Sequence, residues 1–139
     1  MRVRLALAAS TLVVAATATA TAVHAAPADD LSVDAYGTVA DDGTVALSGT
    51  YRCSDDSAGP VMVGTTLVQS DLSSGIGGTR AVCDGQVRAW SHSGTVKDPA
   101  YQAGAARVKA ALMQLTPTGP LGLPMPNSLA AEESDVTLR

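Results

Sequence analysis

The chain has 139 residues, with nine basic and thirteen acidic side chains, a formal charge of −4, 3% aromatic residues and no Phe. Arg2 and Arg4 lie within residues 1–25, so residues 26–139 carry a formal charge of −6 (7 − 13). Nucleic acids and anionic membranes are bound through a surplus of Lys and Arg, so we expect neither as a partner. A chain of this length has room for one domain.

Residues 1–25 have the pattern of a secretory signal peptide. Arg2 and Arg4 form a positive start, an apolar run follows from Leu5 to Val14, and Val23-His24-Ala25 suits a cleavage site. A retained membrane anchor is the alternative, but the stretch is mostly Ala and Thr and has no flanking stop-transfer charges. We expect cleavage after Ala25 and a secreted, extracellular, monomeric domain at 26–139.

Cys53 and Cys83 are the only two cysteines, so they allow one intramolecular disulfide. An oxidising extracellular compartment lets such a bond persist. Closing a loop of this length stabilises a domain by about 3 to 4 kcal/mol on chain-entropy grounds. A redox pair or a metal site is the alternative, but the spacing is not C-x-x-C and only one histidine follows the signal.

The first strands after the signal form a predicted β-hairpin. Residues 44–54 alternate apolar and polar side chains with a period of two, and residues 31–39 place their apolar side chains on one parity. Asp41-Asp42-Gly43 supplies the turn. If Ala40 pairs with Thr44, partner numbers sum to 84, which sets Leu31 opposite Cys53, Val33 opposite Tyr51 and Val39 opposite Val45.

Short strand-like runs recur at intervals of about ten residues along the remaining chain, which is typical of a β-sandwich. We expect a bend or a bulge at Gly75–Gly78 and a hairpin turn at Asp84-Gly85. The predicted fold is an all-β, about seven-stranded antiparallel immunoglobulin-like sandwich with one disulfide. The further strands are expected at 61–69, 78–83, 87–93, 105–115 and 134–138.

The segment 103–115 is ambiguous. Its apolar residues fit a helix if Ala105, Val108 and Leu112 are counted, and a strand if Ala106, Val108 and Ala110 are counted. We favour a strand, because Gly104 opens the run and Arg107 and Lys109 alternate with apolar residues. The alternative is an α+β fold with a helix at 103–115.

Several segments together resemble a known family. The segments GTVALSGTYRC and GIGGTRAVCDG, then Trp90, YQAGAARVKAALMQL and a final SDVTL, are similar to small secreted domains of unknown function from Streptomyces-like, high-GC bacteria. The resemblance implies an exported, disulfide-bonded β domain. It implies no activity, cofactor or catalytic residue.

Catalytic groups are sparse. His92 is the only histidine after the signal, and no nucleophile motif accompanies it, so we expect a solvated strand histidine rather than part of a Ser-His-Asp site. Glu132 and Glu133 are adjacent, so on a strand they face opposite ways and make a poor glycosidase pair. The sequence predicts no catalytic residue and no cofactor, and we expect that the protein is not an enzyme.

Four acidic residues suggest one tentative metal site. The register that sums to 84 places Asp29 opposite Asp55, so Asp29, Asp30, Asp55 and Asp56 would gather at one end of the hairpin. Clustered carboxylates suit a weak Ca²⁺ site. The alternative is that these Asp residues serve turns and a chain terminus.

The proline-rich segment 116–127 is a candidate partner loop. It carries four prolines and the apolar side chains of Leu121, Leu123 and Met125. Such a stiff segment suits contact with a protein or an envelope component, and the alternative is that the three side chains fold back onto the sandwich. We therefore predict a secreted, non-enzymatic binding or interaction module. The alternative function is a secreted proteinase inhibitor that uses this loop.

Overall fold

The computed structural model describes residues 29–139, which contain eight β-strands joined by turns and connections. No helix within these residues is long and apolar enough to cross a membrane. The predicted signal peptide, 1–25, lies outside the described residues. The strands are β1 (Asp30–Val33), β2 (Tyr36–Val39), β3 (Thr44–Arg52), β4 (Val61–Gln69), β5 (Leu72–Arg80), β6 (Arg88–Thr95), β7 (Gly104–Thr118) and β8 (Leu123–Leu138).

The strands divide into two groups that face each other as an immunoglobulin-like sandwich. In the first sheet, β3 pairs with β1 and β2 on one edge and with β6 on the other. In the second sheet the order is β8-β7-β4-β5, and all of these pairs are antiparallel. A short parallel pairing of β2 with the end of β8 joins the two sheets. The predicted all-β sandwich is confirmed, and it has seven strands if β1 and β2 count as one interrupted edge strand.

The segment 103–115 is a strand, so the helical alternative is wrong. It lies in the centre of the second sheet, between β4 and β8. Its even-numbered residues from Val108 to Gln114 are buried, and its odd-numbered residues face outward. Side chains on successive strand residues point to opposite faces, so β7 covers the core with one face only. Its backbone N–H and C=O groups form hydrogen bonds with the strands on both sides, and these bonds stabilise the strand relative to the helix.

The core lies between the two sheets and is built from alternate residues of nearly every strand. β3 and β4 show strict alternation of buried and partly exposed positions, and for β3 the sequence predicts this alternation. Burying this apolar surface is the main force that holds the sheets together. The side chains buried most completely are those of Val45, Cys53, Val61, Val63, Leu67, Val108, Leu112 and Leu138.

Trp90 fills the first-sheet side of the core by crossing over a glycine. Trp90 pairs with Gly49 on β3, and its indole Nε1 donates a hydrogen bond to the backbone oxygen of Ser32 on β1, at 3.0 Å. A Cβ on Gly49 would lie 2.0 Å from that oxygen and 2.7 Å from the indole ring. Gly49 therefore leaves the space through which the indole reaches β1.

The predicted hairpin register holds near the turn and fails further from it. Ala40 donates its backbone N–H to Thr44, and Val39 pairs with Val45, as predicted. On the N-terminal side of Asp34, however, partner numbers sum to 82, so Leu31 pairs with Tyr51 and not with Cys53. Val33 likewise pairs with Gly49 and not with Tyr51. The extra residues sit between β1 and β2, where the Asp34 carboxylate accepts a hydrogen bond from the Ser48 hydroxyl at 2.7 Å.

The Asp84-Gly85 segment forms a turn, but the hairpin predicted there is wrong. Gly85 has a positive φ of 78°, and the Asp84 carboxylate accepts hydrogen bonds from Arg88 and from the backbone of Gln86. The bond from Arg88 is the main reason that the pKa of Asp84 falls to about 2. The flanking strands, β5 and β6, belong to different sheets. The turn therefore carries the chain across the sandwich instead of joining neighbouring strands.

Two other local predictions are confirmed. Cys53 and Cys83 form the disulfide, with their Cα atoms 4.5 Å apart. Within Gly75–Gly78, Thr65 pairs with Gly77 and Thr66 with Gly75, so Ile76 is the extra residue of a β-bulge. The bulge turns Ile76 into the core, where it is buried.

Candidate interaction surface

The proline-rich segment is the outer part of a long β-hairpin that projects beyond the sandwich. β7 pairs with β4 as far as Gln114, and past that point β7 and β8 continue to pair only with each other, out to Thr118 and Leu123. We call residues 115–126 the arm. Its tip is a turn between Gly119 and Gly122, which have φ values of 71° and 60°, a region that favours glycine. The segment predicted as a loop is therefore a paired hairpin.

The apolar side chains of the arm remain exposed. Leu121 is 81% exposed, Leu123 58% and Met125 53%, so the alternative that they fold back onto the sandwich is wrong. Met125 pairs with Thr116 and Leu123 pairs with Thr118, on the face that continues the buried face of β7. The arm thus extends the core-facing side of the second sheet past the end of the first sheet. This face is apolar in character but has no covering layer among the described residues.

The prolines of the arm occupy positions where they block its edges. Leu115 donates its backbone N–H toward β4, to the oxygen of Pro60, so Pro117, two residues on, also faces that side. The cross-strand partners of Leu115 and Pro117 are Pro126 and Pro124, whose nitrogens point to the opposite edge. A proline has no N–H to donate to an added strand. A partner can therefore contact the faces of the arm, but the prolines disfavour the addition of a β-strand to either edge.

More exposed apolar side chains lie at the same end of the sandwich. Val82 is 50% exposed and Val87 67%, both in the connection between β5 and β6. This connection starts beside the base of the arm, because Ala81 donates to the backbone oxygen of Val61, and Val61 pairs with Gln114. Among the residues described, only one other large apolar side chain is at least half exposed, that of Tyr36, which lies at the opposite end of the sandwich. The apolar surface is therefore concentrated at the arm end.

His92 is buried between two threonine hydroxyls. It is only 3% exposed, so the predicted solvated histidine is wrong. Its Nδ1 lies 2.8 Å from the Thr65 hydroxyl and its Nε2 lies 3.1 Å from the Thr79 hydroxyl. Burial lowers the pKa of His92. Because Thr65 and Thr79 lie on β4 and β5, the histidine joins β6 of the first sheet to the second sheet, and this role is structural.

The structure does not support the acidic cluster expected to bind calcium. The two-residue change in register pairs Asp30 with Arg52, where the predicted register had Ser54. Asp55 instead closes a turn, since its carboxylate accepts the backbone N–H of Ser57 at 2.8 Å, and the hydrogen bonds from Ser57 lower its pKa. In the described part of the chain, which includes Asp29 and Asp56, no three His, Cys, Asp or Glu side chains are grouped closely enough to hold a metal ion.

A shallow groove of about 640 Å³ crosses the outer face of the second sheet. Its floor is made of small residues that are paired across three strands, Gly64, Ala111 and Ala131. Glu132 and Glu133 lie at its rim, where Glu133 pairs with Arg107 at 3.3 Å and Glu132 accepts a hydrogen bond from Ser134. Both carboxylates therefore interact with other side chains of the protein, and they do not form the opposed pair that a glycosidase uses.

These features define a disulfide-bonded, immunoglobulin-like β-sandwich with a projecting hairpin arm. The chain belongs to a family of unknown function, DUF6299, whose sequence profile matches residues 27–139. Comparison with curated proteins and with solved structures found no match.

Proposed function

We propose that the protein is a secreted, non-enzymatic interaction module in which the sandwich is a scaffold and the arm is the contact element. The observation that carries this proposal is the exposure of Leu121, Leu123 and Met125 on a paired, proline-stiffened hairpin. Exposed apolar patches on extracellular domains commonly mark interaction sites. A stiff hairpin also loses little conformational entropy when it binds.

Export is supported by the signal-like pattern of residues 1–25, and a lone disulfide is compatible with an oxidising compartment. An origin in high-GC bacteria is likewise a proposal, supported by the resemblance of the two cysteine segments and by seven Arg against two Lys in the whole chain. A non-enzymatic role is supported by the burial of His92 between two threonine hydroxyls, which leaves it no contact with a substrate.

The interaction role is favoured over the proteinase-inhibitor role of segment 116–127. An inhibitor that mimics a substrate offers an extended strand whose outward N–H and carbonyl groups pair with the protease. In the arm, Pro117, Pro124 and Pro126 occupy outward positions, and the backbone groups between them are used within the hairpin. The arm therefore lacks the free strand edge that such inhibition needs.

The test is capture from culture medium and envelope fractions with tagged, oxidised protein of residues 26–139. The arm variant Leu121→Ser, Leu123→Ser, Met125→Ser should lose a species that the unmodified protein retains. The matched control is Tyr36→Ser, because Tyr36 is 55% exposed but lies at the opposite end of the sandwich. If the arm variant captures the same species as the unmodified protein, the arm is not the contact element.

Incubation with subtilisin-like and trypsin-like proteases separates the two functions. An interaction module should be cleaved slowly or not at all and should leave protease activity unchanged. Stoichiometric inhibition that disappears in the arm variant would establish the inhibitor instead.

A further inference from the structure

One edge of the sandwich is unprotected against the addition of a strand. Natural β-proteins shield their exposed edges with prolines, charges, bulges or short strands, because an open edge promotes aggregation. Here prolines block the arm, the bulge at Ile76 interrupts β5, and β1 and β2 have only four residues each. The edge strand β8 carries the exposed acidic residues Glu132, Glu133 and Asp135. Among the described strands, β6 is the exception.

The outward backbone groups of β6 have no partner within residues 29–139. Val96, directly after β6, donates its backbone N–H to Gly43 beside β3, so alternate residues of β6 bond to β3 and the others face outward. β6 pairs with no strand except β3. The outward residues, all of them exposed, are Ala89, Ser91, Ser93 and Thr95. Each of them offers one N–H and one C=O to an added strand.

The composition of β6 also favours strand addition. Residues 89–96 contain no Pro, Asp, Glu, Lys or Arg, and the pairing of β6 with β3 has no bulge. The one charge on β6, Arg88 at its start, donates a hydrogen bond to Asp84 at 3.2 Å. β6 has eight residues, and its edge is therefore roughly 26 Å long.

The two faces of β6 define the side chains that suit an added strand. The outer face of the first sheet is a ladder of small hydroxyl residues, in which Ser32 bonds to Thr50 at 2.6 Å. Thr44 likewise bonds to Thr95 at 3.1 Å. Such cross-strand pairs stabilise neighbouring strands. On the inner face, an added strand would lie beside the buried Trp90. The matching strand therefore alternates Thr or Ser with apolar β-branched residues.

We infer that the outer edge of β6 binds an extended, uncharged segment of another polypeptide, which extends the first sheet by one strand. Main-chain hydrogen bonds supply affinity in this mode of recognition, and alternate side chains supply specificity. A second copy of this chain does not match the edge, because the inner residues of its own β6, Trp90 and His92, are buried in its own core. The two copies would also repel, since each carries a formal charge of −6 (7 − 13) over residues 26–139. This second contact surface is separate from the arm.

The probe is the nine-residue peptide Glu-Thr-Val-Thr-Val-Thr-Val-Thr-Glu, acetylated and amidated at its ends. It is titrated to about 1 mM into oxidised, isotope-labelled protein of residues 26–139 and followed by nuclear magnetic resonance. Binding should shift the backbone amide signals of Ala89, Ser91, Ser93 and Thr95 and should slow their hydrogen exchange at least about tenfold. The control peptide, with Pro in place of the central Val, should bind at least about tenfold more weakly.

Proline substitution tests the edge from the side of the protein. Ser91→Pro removes an outward N–H of β6 and no bond to β3, and it should weaken binding of the peptide at least about tenfold. Ser73→Pro is the matched control on β5. Ser73 pairs with Val68, and β4 bonds to β5 through its odd-numbered residues, as at Val61, so the N–H of Ser73 also faces outward. Ser73→Pro should bind the peptide like the unmodified protein.

Circular dichroism and urea unfolding check the fold of each variant. If Ser91→Pro does not fold, Ser93→Lys places a charge on the same edge and should weaken binding in the same way. No binding up to about 1 mM peptide overturns the inference. It is also overturned if the control peptide binds equally well, if Ser73→Pro causes an equal loss, or if the folded β6 variants bind normally.

Sedimentation velocity tests the other occupant. A dimer of the unmodified protein that Ser91→Pro dissociates would assign the edge to a second copy and overturn the inference. The arm variant Leu121→Ser, Leu123→Ser, Met125→Ser should bind the peptide normally. Failure of the β6 experiment therefore leaves the proposed function of the arm standing, and failure of capture through the arm leaves the β6 edge standing.

Discussion

Replacing Gly49 by alanine should damage the packing of Trp90 and separate β1 from the sheet. The added Cβ would lie 2.0 Å from the Ser32 oxygen, and neighbouring atoms must therefore move by more than an ångström to restore ordinary contact. Overpacking of this kind costs about 1 to 3 kcal/mol. Loss of the hydrogen bond from Trp90 to Ser32 adds about 1 kcal/mol.

The expected total loss for Gly49→Ala is therefore about 2 to 4 kcal/mol, which lowers the thermal midpoint of a domain of this size by roughly 10 to 20 °C. The control is Gly64→Ala on the outer face of β4, where a Cβ meets no atom within 4 Å. That substitution should be neutral or should stabilise by about 0.5 kcal/mol, because alanine has less backbone freedom to lose on folding.

Both variants are measured by thermal and urea unfolding, followed by circular dichroism and by the fluorescence of Trp90, the only tryptophan. Gly49→Ala should also shift the native emission to longer wavelength as the indole meets water. If the free energies of unfolding of the two variants differ by less than about 0.5 kcal/mol, the close approach of Trp90 across Gly49 does not constrain the fold.

Three further predictions concern stability. Burial lowers the pKa of His92 in the folded state, so the unfolded chain binds more protons. The free energy of unfolding should therefore fall as the pH drops through 6.5 and level off below the folded-state pKa. Urea unfolding at several pH values measures this fall, which should be absent in His92→Gln. Reducing the Cys53–Cys83 disulfide should cost about 3 to 4 kcal/mol while leaving a β-type spectrum; an unchanged urea midpoint would contradict this. Calcium should raise the thermal midpoint no more than NaCl at equal ionic strength, and a larger rise that Asp55→Asn abolishes would restore the calcium site.

The arm shows how far the sequence predicts the candidate site. Its prolines and apolar residues are visible in the sequence, and they mark 116–127 as unusual. Whether Leu123 and Met125 are covered depends on where the first sheet ends, and that sheet is built from distant parts of the chain. The outward position of the three prolines is likewise a property of the β7–β8 register, which no local pattern specifies.

The prediction that His92 is solvated is wrong for a related reason. Trp90 and His92 share a parity on β6, so alternation alone would have placed both in the core. A polar side chain on that face is buried only if partners are present, and the partners are hydroxyl groups on β4 and β5. No pattern in the sequence near His92 predicts these hydroxyl partners.

The sequence by itself determined the properties that depend on alternation and turn chemistry. These are the strand character of most of the chain, the buried face of β3, the 40–44 turn, the irregularity at Gly75–Gly78 and the single way of pairing the cysteines. Tertiary structure alone decided the properties that depend on which strands meet. A register change of two residues keeps Leu31 on the same face, so a period of two cannot detect it. In the same way, the Asp84-Gly85 turn has the same local chemistry whether it joins neighbouring strands or carries the chain between sheets, because the choice is made by the packing of the two sheets and not by the turn.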